Sequence, residues 1–361
     1  MREGWEYKTI ENCTSIEYGT RVVQKRDGGT IYPVYGGGGE TFRMDRYNRE
    51  DSLIIARFAM SPRCVRYVAG KFFLNDSGLS VKSKEELEQA YLNYHLLFFN
   101  DVIYHLGKGA AQRNLDVKAF RQLVIAIPPK PTQLSIVSEL DKLNELIQIK
   151  KEQLKDYDAL AQSIFYEMFG DPVEEGWDVK ELGDICKTSS GGTPSKAHTE
   201  YYNGEIMWLR SGEVSQGDIY NTEQTITLLG LENSSAKIFP VNTVVIAMYG
   251  ATVGQVGILR KEMSTNQAIC GIFPNEDLTP EYLYYFLISK KAEFLKSAIG
   301  GAQANISQQI IRKTLIPLPP LSLQSSFTCK IRQIKLQKAA VQSTITDLET
   351  LLAARMQYWF D

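Results

Sequence analysis

The chain carries two copies of one stretch, and this duplication constrains its fold more than any other feature. At a shift of 191 positions and without a gap, residues 91–133 match residues 282–324 at about 13 of 43 positions. The turn GAAQRNL (109–115) returns as GGAQANI (300–306), and Asn75 falls on Asn266. A repeat of this length predicts two similar units, since a chain of 361 residues exceeds one typical core.

The front part of each copy has the character of a mixed sheet. GWEYKTIENC (4–13) matches GWDVKELGDI (176–185) at a shift of 172, so the second copy holds about 19 extra residues in its front half. Short β-branched and aromatic runs between glycine-rich turns predict strands, whereas residues 84–99 and 279–299 predict one helix each. Each copy is therefore expected to contain an α+β globule, which ends at a pair of prolines.

A long helix is expected after each proline pair. Residues 133–169 contain no glycine or proline, and apolar residues recur at steps of three and four, as in a coiled-coil seam. About 38 helical residues rise about 57 Å, and no globule of this size could cover so long an apolar stripe. The two helices are therefore expected to pack against each other, antiparallel, and to separate two similar α+β domains related by a pseudo-twofold axis. The residues predicted for the seam are Leu140, Leu143, Ile147, Leu154, Ile164, Ile331, Ile334, Val341, Ile345, Leu348 and Leu352.

Composition excludes several classes of protein. With 43% hydrophobic and 23% charged residues the chain is typical of globular proteins. Its five cysteines form no C-x-x-C pair, which argues against a zinc site and against a disulfide framework. The sequence MREGWEYKTIENC (1–13) lacks the apolar core of a signal peptide, and no apolar run approaches the roughly 18 residues of a membrane helix. We expect a cytoplasmic protein without a membrane partner.

The distribution of charge is more informative than its sum. A net charge of −2 taken alone counts against nucleic acid as a partner. Residues 21–71, however, hold about ten basic side chains against about five acidic ones. This excess predicts either a surface that faces phosphates or an ordinary solvated face, and the sequence leaves both open.

A search for catalytic patterns returns little. The three histidines do not occur at metal-ligand or triad spacings, and neither a phosphate loop nor a dinucleotide fingerprint is present. The best alternative is a metal-dependent nuclease that uses Asp171, Asp178 and Lys180. In the first copy Glu6 and Lys8 occupy the matching places, but Asp171 has no counterpart, so a polar connector explains both copies equally well. We expect no catalytic residue, no metal and no cofactor.

Two amides return in both copies. Gln112 and Asn114 match Gln303 and Asn305. Side-chain amides can read adenine in the major groove or hold a phosphate, and they can also satisfy backbone groups in a turn. Residues that specify different bases ought to differ between copies, whereas residues that hold the scaffold ought to agree, which favours the structural interpretation.

Several motifs, in this order, resemble the specificity subunit of type I restriction-modification enzymes. They are YPVYGGGG (32–39), LNDSGLSVK (74–82), IPP (127–129), SGGTPS (190–195), IMWLRSGEV (206–214), GATVGQVGI (250–258), STNQAI (264–269), GGAQANI (300–306) and IPLPPLSLQ (316–324). The resemblance spans nearly the whole chain. It implies a first target recognition domain over residues 1–129, a spacer helix over 130–170, a second recognition domain over 171–320 and a second spacer helix over 321–361.

The resemblance also implies a function. Each recognition domain would read one half of a bipartite site in double-stranded DNA, while the helix pair sets the gap and docks two methyltransferase subunits. Restriction subunits would join through the methyltransferase subunits, and the chain itself would be non-catalytic. A two-domain scaffold that binds protein partners is the rival from another class.

Candidate DNA contacts follow from the basic stretch, the repeated amides and the polar loops of the second domain. They are Arg21, Lys25, Arg26, Arg43, Arg46, Arg57, Arg63, Gln112, Ser189, Thr193, Ser195, Lys196, Arg210, Ser211, Tyr249, Thr252 and Gln303. Residues 171–319 carry about 12 basic and 17 acidic side chains, an unfavourable balance for DNA binding. The extra acids are expected either to face a partner subunit or to leave a weakly binding half that depends on the tether to the other.

Overall fold

The computed structural model describes residues 2–84, 86–109, 112–170, 176–297 and 305–361. The chain forms two compact units. The first consists of Met1–Glu152 with Gln342–Asp361, and the second of Gln153–Val341. Helices and sheets occur in both, so the predicted α+β class is confirmed.

The first unit is built around a six-stranded sheet. The strands of the unit are β1 (Glu6–Thr9), β2 (Thr14–Tyr18), β3 (Tyr32–Gly36), β4 (Gly39–Met44), β5 (Arg49–Ala56), β6 (Val65–Leu74), β7 (Gly78–Ser83), β8 (Gly107–Lys108), β9 (Asn114–Leu115) and β10 (Val124–Ile127). Strands β2 to β7 form the six-stranded sheet, whereas β1 pairs with β10 and β8 with β9. Its helices are α1 (Ile10–Cys13), α2 (Gln24–Asp27), α3 (Gln89–Phe98), α4 (Asn100–His105) and α5 (Val117–Arg121), followed by the long α6 (Lys130–Phe169). The sheet order is β2-β7-β5-β6-β3-β4, and only β3 and β6 pair in parallel.

The second unit contains two larger sheets. Its strands are β11 (Val179–Glu181), β12 (Thr188–Ser190), β13 (Tyr202–Leu209), β14 (Asp218–Ile219), β15 (Gln224–Ile226), β16 (Ile238–Phe239), β17 (Val244–Ala247), β18 (Val256–Leu259), β19 (Met263–Thr265), β20 (Ile269–Ile272) and β21 (Leu315–Pro317). Its helices are α7 (Leu182–Ile185), α8 (Leu228–Glu232), α9 (Pro280–Ser289), α10 (Lys291–Ser297) and α11 (Gln308–Arg312), followed by the long α12 (Leu321–Phe360). The sheet orders are β12-β20-β17-β18-β14 and β15-β13-β19-β16.

The central strand of each unit is buried on both faces. Leu53 and Ile55 of β5 pack with the helices, whereas Ile54 between them faces Phe72 and Leu74. This arrangement follows from the period of two along a strand, and it explains why residues 53–56 (LIIA) form an uninterrupted apolar run. Strand β17 repeats the pattern in the second unit, where its residues alternate between two separate clusters.

Both predicted long helices are confirmed. Helices α6 and α12 are 40 residues each, and α6 begins at Lys130, where the spacer helix was predicted to start. In the first unit Glu139 pairs with Arg355, and Lys151 pairs with Glu349 at 2.8 Å. A later residue of α6 thus pairs with an earlier residue of α12, so the two segments are antiparallel there.

The same direction holds in the second unit. Lys338 pairs with Asp158, and the rings of Phe165 and Phe327 lie 5.7 Å apart. The residues predicted for the seam are all buried or half-buried, and Leu140, Ile147, Ile331, Ile334, Val341 and Ile345 are buried. Within each unit the apolar stripe is therefore withdrawn from water by its partner helix and by the globule.

A buried glutamine fixes the start of each long helix to its globule. The amide oxygen of Gln133 accepts a hydrogen bond from the Glu88 N–H (2.8 Å), and its nitrogen donates to the carbonyls of Pro128 (2.8 Å) and Glu86 (3.0 Å). Gln324 lies 191 positions later. It makes the same three bonds, to Thr279 (2.8 Å), Pro319 (3.0 Å) and Asp277 (2.9 Å). Both side chains are almost completely buried.

The helices before these clamps are shorter than predicted. Residues 84–99 were expected to form one helix, but α3 begins only at Gln89, because Glu88 is extended and gives its N–H to Gln133. Residues 279–299 were also expected to form one helix, and this was wrong. The helix begins at Pro280, with Thr279 as its cap, and breaks at Lys290, whose N–H is shared between two carbonyls. Phe99, the matching residue of the first copy, separates α3 from α4 in the same way.

No helix among the described residues combines the length and the apolar character needed to cross a bilayer.

Candidate nucleic-acid interface

An asparagine turn lies at the end of the sheet in the first unit. The Asn75 side-chain oxygen accepts hydrogen bonds from the N–H (2.9 Å) and the hydroxyl (2.6 Å) of Ser77, and its carbonyl accepts from the Gly78 N–H (3.1 Å). Asparagine suits this role because its short side chain can bond the backbone two residues on. We call residues 74–78 the first asparagine loop.

Three other loops converge on this loop through backbone hydrogen bonds. These bonds run from the Thr20 N–H to the Leu74 carbonyl (3.0 Å), from the Asn75 N–H to the Tyr35 carbonyl (3.0 Å) and from the Arg57 N–H to the Ser77 carbonyl (2.8 Å). The ends of β2, β3 and β5 are thereby held next to one another by main-chain atoms, whatever side chains these loops carry.

The second unit contains the same arrangement. Asn266 accepts from the Ala268 N–H (3.2 Å) through its side chain and from the Ile269 N–H (3.2 Å) through its carbonyl. The converging bonds run from the Gly192 N–H to the Thr265 carbonyl (2.9 Å), from the Asn266 N–H to the Leu209 carbonyl (2.9 Å) and from the Met248 N–H to the Ala268 carbonyl (2.8 Å). Residues 265–269 are the second asparagine loop, and the three loops that meet it contain the candidate contacts Thr193, Arg210 and Tyr249.

Two matching glycines allow this close approach. A Cβ added at Gly19 would lie 1.9 Å from the Asn75 carbonyl oxygen, and one at Gly191 would lie 2.6 Å from that of Asn266. No side chain fits at such distances, so the glycines serve the scaffold.

The repeated turn joins the same place. In the first unit the Asn114 side chain accepts from the Ala59 N–H (3.2 Å), and the Leu115 N–H donates to the Arg57 carbonyl (2.9 Å). In the second unit Asn305 forms a bridge with Tyr249, and the Ile306 N–H donates to the Met248 carbonyl (2.9 Å). Asn114 thus has the structural role that its repetition indicated.

Each repeated turn also contains a glutamine. Gln112 is exposed. Gln303 lies outside the described residues.

The predicted cations of the first unit fall into two groups. Arg26 (3.1 Å) and Arg46 (4.0 Å) pair with Asp27, whose pKa is lowered chiefly by the hydrogen bond from Arg26. Arg43 pairs with Glu40 at 3.6 Å. Among the described residues no ion pair is found for Arg21, Lys25, Arg57 or Arg63. The second group supplies uncompensated positive charge.

Arg57 lies at the first asparagine loop itself. Its guanidinium stacks over the rings of Tyr18, 4.8 Å from the centroid, and Phe58, 4.6 Å from the centroid. Such stacking holds the planar group in place and leaves its N–H donors free for an anion.

A polar cleft of about 550 Å³ opens beside the second asparagine loop. Its lining includes Thr193, Lys196, Asn266 and Gln267, and Trp208 forms part of the wall. The indole N–H of Trp208 donates to the Gly192 carbonyl at 3.0 Å, which leaves the ring buried and fixed. The hydroxyl of Thr193 donates to the side-chain oxygen of Gln267.

The charge in this cleft is largely cancelled. Arg210 pairs with Glu213 at 3.4 Å and with Glu223. Lys196 is exposed, and within the described part of the chain no acidic partner is found for it. The second unit therefore presents amides and hydroxyls where the first presents cations.

The remaining predicted residues of the second unit differ in accessibility. Ser189 is buried, and its hydroxyl accepts from the Lys237 ammonium at 2.9 Å, so it is not available to a ligand. The Ser195 hydroxyl accepts from the Ala197 N–H (3.4 Å), and Ser211 begins a short 3-10 helix. Tyr249 is 44% exposed, and the Thr252 hydroxyl donates to its carbonyl at 3.0 Å.

Two of the three residues of the nuclease alternative take part in ordinary backbone pairing. Lys180 lies in β11, paired opposite Ile316, and Asp178 accepts the Leu318 N–H through its backbone. Asp171 lies outside the described residues. Over the described ranges no group of three or more His, Cys, Asp or Glu could hold a metal.

His95 is a core residue. It is buried beside Phe99 and Phe360, and its Nε2 accepts the Ala126 N–H at 3.3 Å. Burial lowers its pKa to about 4, so it is neutral at physiological pH.

Three residues of the cleft and of the asparagine loops were not among the candidates from sequence. Trp208 and Gln267 line the cleft, and Asp76 occupies the place in the first asparagine loop that matches Gln267. The match of Asn75 with Asn266 was the available signal, because it marks the loop on which the others converge.

Comparison with known proteins agrees with this architecture. The family model described as the type I restriction modification DNA specificity domain matches residues 2–156 and again 174–331. The MjaIX specificity subunit of Methanocaldococcus jannaschii is 31% identical over 152 residues, which are 41% of this chain and 35% of that protein. The EcoR124I/EcoR124II specificity subunit of Escherichia coli is 24% identical over 275 residues, 72% of this chain and 67% of that protein. The matched part thus spans between about a third and two thirds of these relatives.

Solved structures share the fold. A type I restriction-modification S subunit from M. genitalium superposes with a TM-score of 0.56 at 15% identity and covers 99% of this chain and 96% of its own. A chain from a study of complex assembly and conformational transition in the type I R-M system superposes with a TM-score of 0.62 at 19% identity, covering 99% and 97%. Because the two segments matched by the family model make up more than half of the chain, the protein belongs to the family of the type I restriction modification DNA specificity domain.

Proposed function

We propose that this chain is the DNA-sequence specificity subunit of a type I restriction-modification complex, in which each unit reads one half of a bipartite, gapped site in double-stranded DNA. One observation carries the proposal. The two asparagine loops share their backbone hydrogen bonds, yet they are surrounded by different side chains. Two domains that recognise different half-sites require a common backbone structure and different side chains at the DNA surface.

The first unit is suited to hold the DNA backbone. Arg21, Lys25, Arg57 and Arg63 carry uncompensated charge, and cations of this kind contact phosphates and release counterions. Arg26, Arg43 and Arg46 are partly neutralised by neighbouring acids and would contribute less. Binding by this unit is expected to weaken steeply with salt.

The second unit is suited to read bases more than to hold phosphates. Its polar cleft is lined by Thr193, Lys196, Asn266 and Gln267. The arginine in the lining, Arg210, is compensated by Glu213 and Glu223. The candidate contacts that remain in this unit lie on the surface or at the converging loops: Ser195, Ser211, Tyr249 and Thr252. Ser189 is buried and is withdrawn as a contact. In the first unit the exposed Gln112 also remains a candidate. The tether to the first unit would raise the effective concentration of the second at its half-site.

The long helices are proposed to set the gap and to dock the partner subunits. A helix of 40 residues rises about 60 Å, and half-sites one DNA turn apart are separated by about 34 Å. Leu146, Leu160 and Leu336 are exposed on α6 and α12 and are proposed as contacts for the partner subunits. We assign to these helices two methyltransferase subunits, with restriction subunits joining through them.

The chain itself is proposed to be non-catalytic, with recognition domains over residues 1–129 and 171–320 and spacer helices over 130–170 and 321–361. All five cysteines are free thiols, which is consistent with a cytoplasmic location.

Methylation mapping tests the proposal. Cells that contain the chain and its matching methyltransferase should show one gapped, bipartite methylated motif by long-read sequencing, and cells without the chain should not. An ungapped motif, or the same motif without the chain, would refute the proposal. Cleavage of plasmid DNA by the purified chain alone with a divalent metal would instead support the nuclease alternative.

A further inference from the structure

One position in the two asparagine loops differs in chemistry while its frame is retained. The residue after the shared asparagine is Asp76 in the first unit and Gln267 in the second. Asn75 and Asn266 bond the backbone two residues on, and both loops receive the same three neighbouring loops. The shared frame explains the asparagines but gives no reason for an acid in one copy and an amide in the other.

Gln267 is oriented towards a ligand. It is exposed at the polar cleft, and its side-chain oxygen accepts the hydroxyl hydrogen of Thr193. Within the described residues its side-chain nitrogen has no hydrogen-bond partner. Thr193 therefore fixes which way the amide points, so that the nitrogen is available as a donor while the oxygen retains a free lone pair. An amide held in this way can donate to N7 and accept from N6 of adenine in the major groove.

Asp76 is the acidic counterpart. It is half-buried, and across the described part of the chain no cation pairs with it, although residues 21–71 are rich in basic side chains. A carboxylate accepts hydrogen bonds and cannot donate them. At a base edge it can therefore accept from an exocyclic amino group, that of cytosine being the usual partner.

We propose that Asp76 and Gln267 are equivalent base-reading residues of the two half-sites. Asp76 accepts from the exocyclic amino group of cytosine, and Gln267 recognises adenine with two hydrogen bonds. This inference rests on the proposed function of the chain as a DNA-specificity subunit. It adds one specificity-determining position for each half-site.

Exchange of the two residues tests the assignment. Gln267→Asp and Asp76→Gln are each assembled with the methyltransferase subunits, and the methylated motif is mapped. Each exchange should alter the base at one position of one half-site and leave the other half unchanged. Gln309→Asp applies the substitution of the first variant to an exposed glutamine on α11 and should leave the whole motif unchanged.

Binding measurements keep the test decisive if an exchange abolishes methylation. The assembled complex is titrated with duplexes that each carry one altered base pair. The wild type should lose about 5- to 150-fold in affinity at the position read by Gln267, the fold-change that corresponds to 1–3 kcal/mol. The affinity of Gln267→Ala should not change when the base pair at that position is altered, but it should still fall when other positions of the motif are altered.

An unchanged motif in both exchange variants would overturn the inference, and so would an affinity loss in Gln267→Ala that is equal at every position. If the wild type produced no bipartite motif at all, the proposed function would fail instead, so the two failures are distinguishable.

Discussion

At the scale of single residues, a buried glutamine at the start of each long helix is repeated together with its hydrogen bonds. Gln133 and Gln324 each use their amide for three hydrogen bonds to backbone groups at the start of a long helix. A buried amide can be retained only if its partners are all present, because an unsatisfied polar group in the interior is costly. These residues hold globule and helix together.

Replacement of Gln324 by leucine should destabilise the second unit. Gln324→Leu leaves the Thr279 N–H and the Pro319 and Asp277 carbonyls without this partner, and an unsatisfied group costs about 1–3 kcal/mol where it is buried, as at Pro319. We expect a loss of several kcal/mol in the free energy of unfolding, measured by chemical denaturation. Gln148→Leu, at an exposed position of α6, serves as the control and should change stability little. Equal losses in the two variants would contradict the role of the clamp.

At the scale of elements, the pairing of α6 with α12 in the first unit includes an ion pair that titrates. Glu139 accepts hydrogen bonds from the guanidinium of Arg355 and from the indole N–H of Trp359 (3.1 Å). The hydrogen bond from Arg355 lowers the pKa of this carboxyl below its usual value. A carboxyl with a lowered pKa contributes stability above its unfolded pKa of about 4.3, and that contribution is lost as the pH falls through the folded pKa.

The stability difference between wild type and Glu139→Gln should therefore depend on pH. At neutral pH the variant should be less stable, by a modest amount because the pair is partly exposed. The difference should begin to shrink as the pH falls towards the unfolded pKa of about 4.3 and should vanish only once the pH is below the lowered folded pKa. Unfolding by denaturant at a series of pH values measures it, and Glu145→Gln, at an exposed site on the same helix, should show no such dependence. A difference that persists in acid would exclude the ion pair as its cause.

At the scale of the whole molecule, the repeat predicts that recognition is modular. Exchange of residues 171–319 for the matching domain of a relative should change one half of the methylated motif and leave the other intact, because each unit has its own asparagine loop and its own lining. Methylation mapping checks this outcome. Simultaneous change of both halves would contradict independent reading.

The gap should follow the length of the helices. Insertion of one heptad into both α6 and α12 preserves the seam and adds about 10 Å of helix, which corresponds to about three base pairs. Mapping of the methylated motif should show a longer gap between unchanged halves. Insertion into α6 alone breaks the pairing of the two helices and should abolish methylation of the bipartite motif. An unchanged gap in the double insertion would refute the spacing role.

Much of the architecture was predictable from sequence because it rests on periodicity. The repeat gave two similar units, and the spacing of apolar residues gave both long helices. The helix break at Lys290 was missed, since neither a glycine nor a proline marks it in the sequence. Periodicity reports which face is buried but not where the backbone departs from the helix.

The interface was less predictable because it depends on neighbours that are distant in sequence. Arg210 has the sequence character of a free cation in a polar loop, yet Glu213 and Glu223 neutralise it. Ser189 was selected for its glycine-rich surroundings and is buried against Lys237. Gln267 was passed over because its partner Thr193 lies 74 positions away.

The first unit includes residues from both ends of the chain, and this has a consequence for synthesis. Phe360 packs against Tyr91 at a ring separation of 5.4 Å and against His95, deep in the core formed by the early residues. During translation the earlier part of that unit leaves the ribosome long before residues 342–361. The apolar surface that these residues of α12 cover therefore stays exposed until they have been synthesised. The second unit, assembled from one continuous stretch, can mature first, although it is made later.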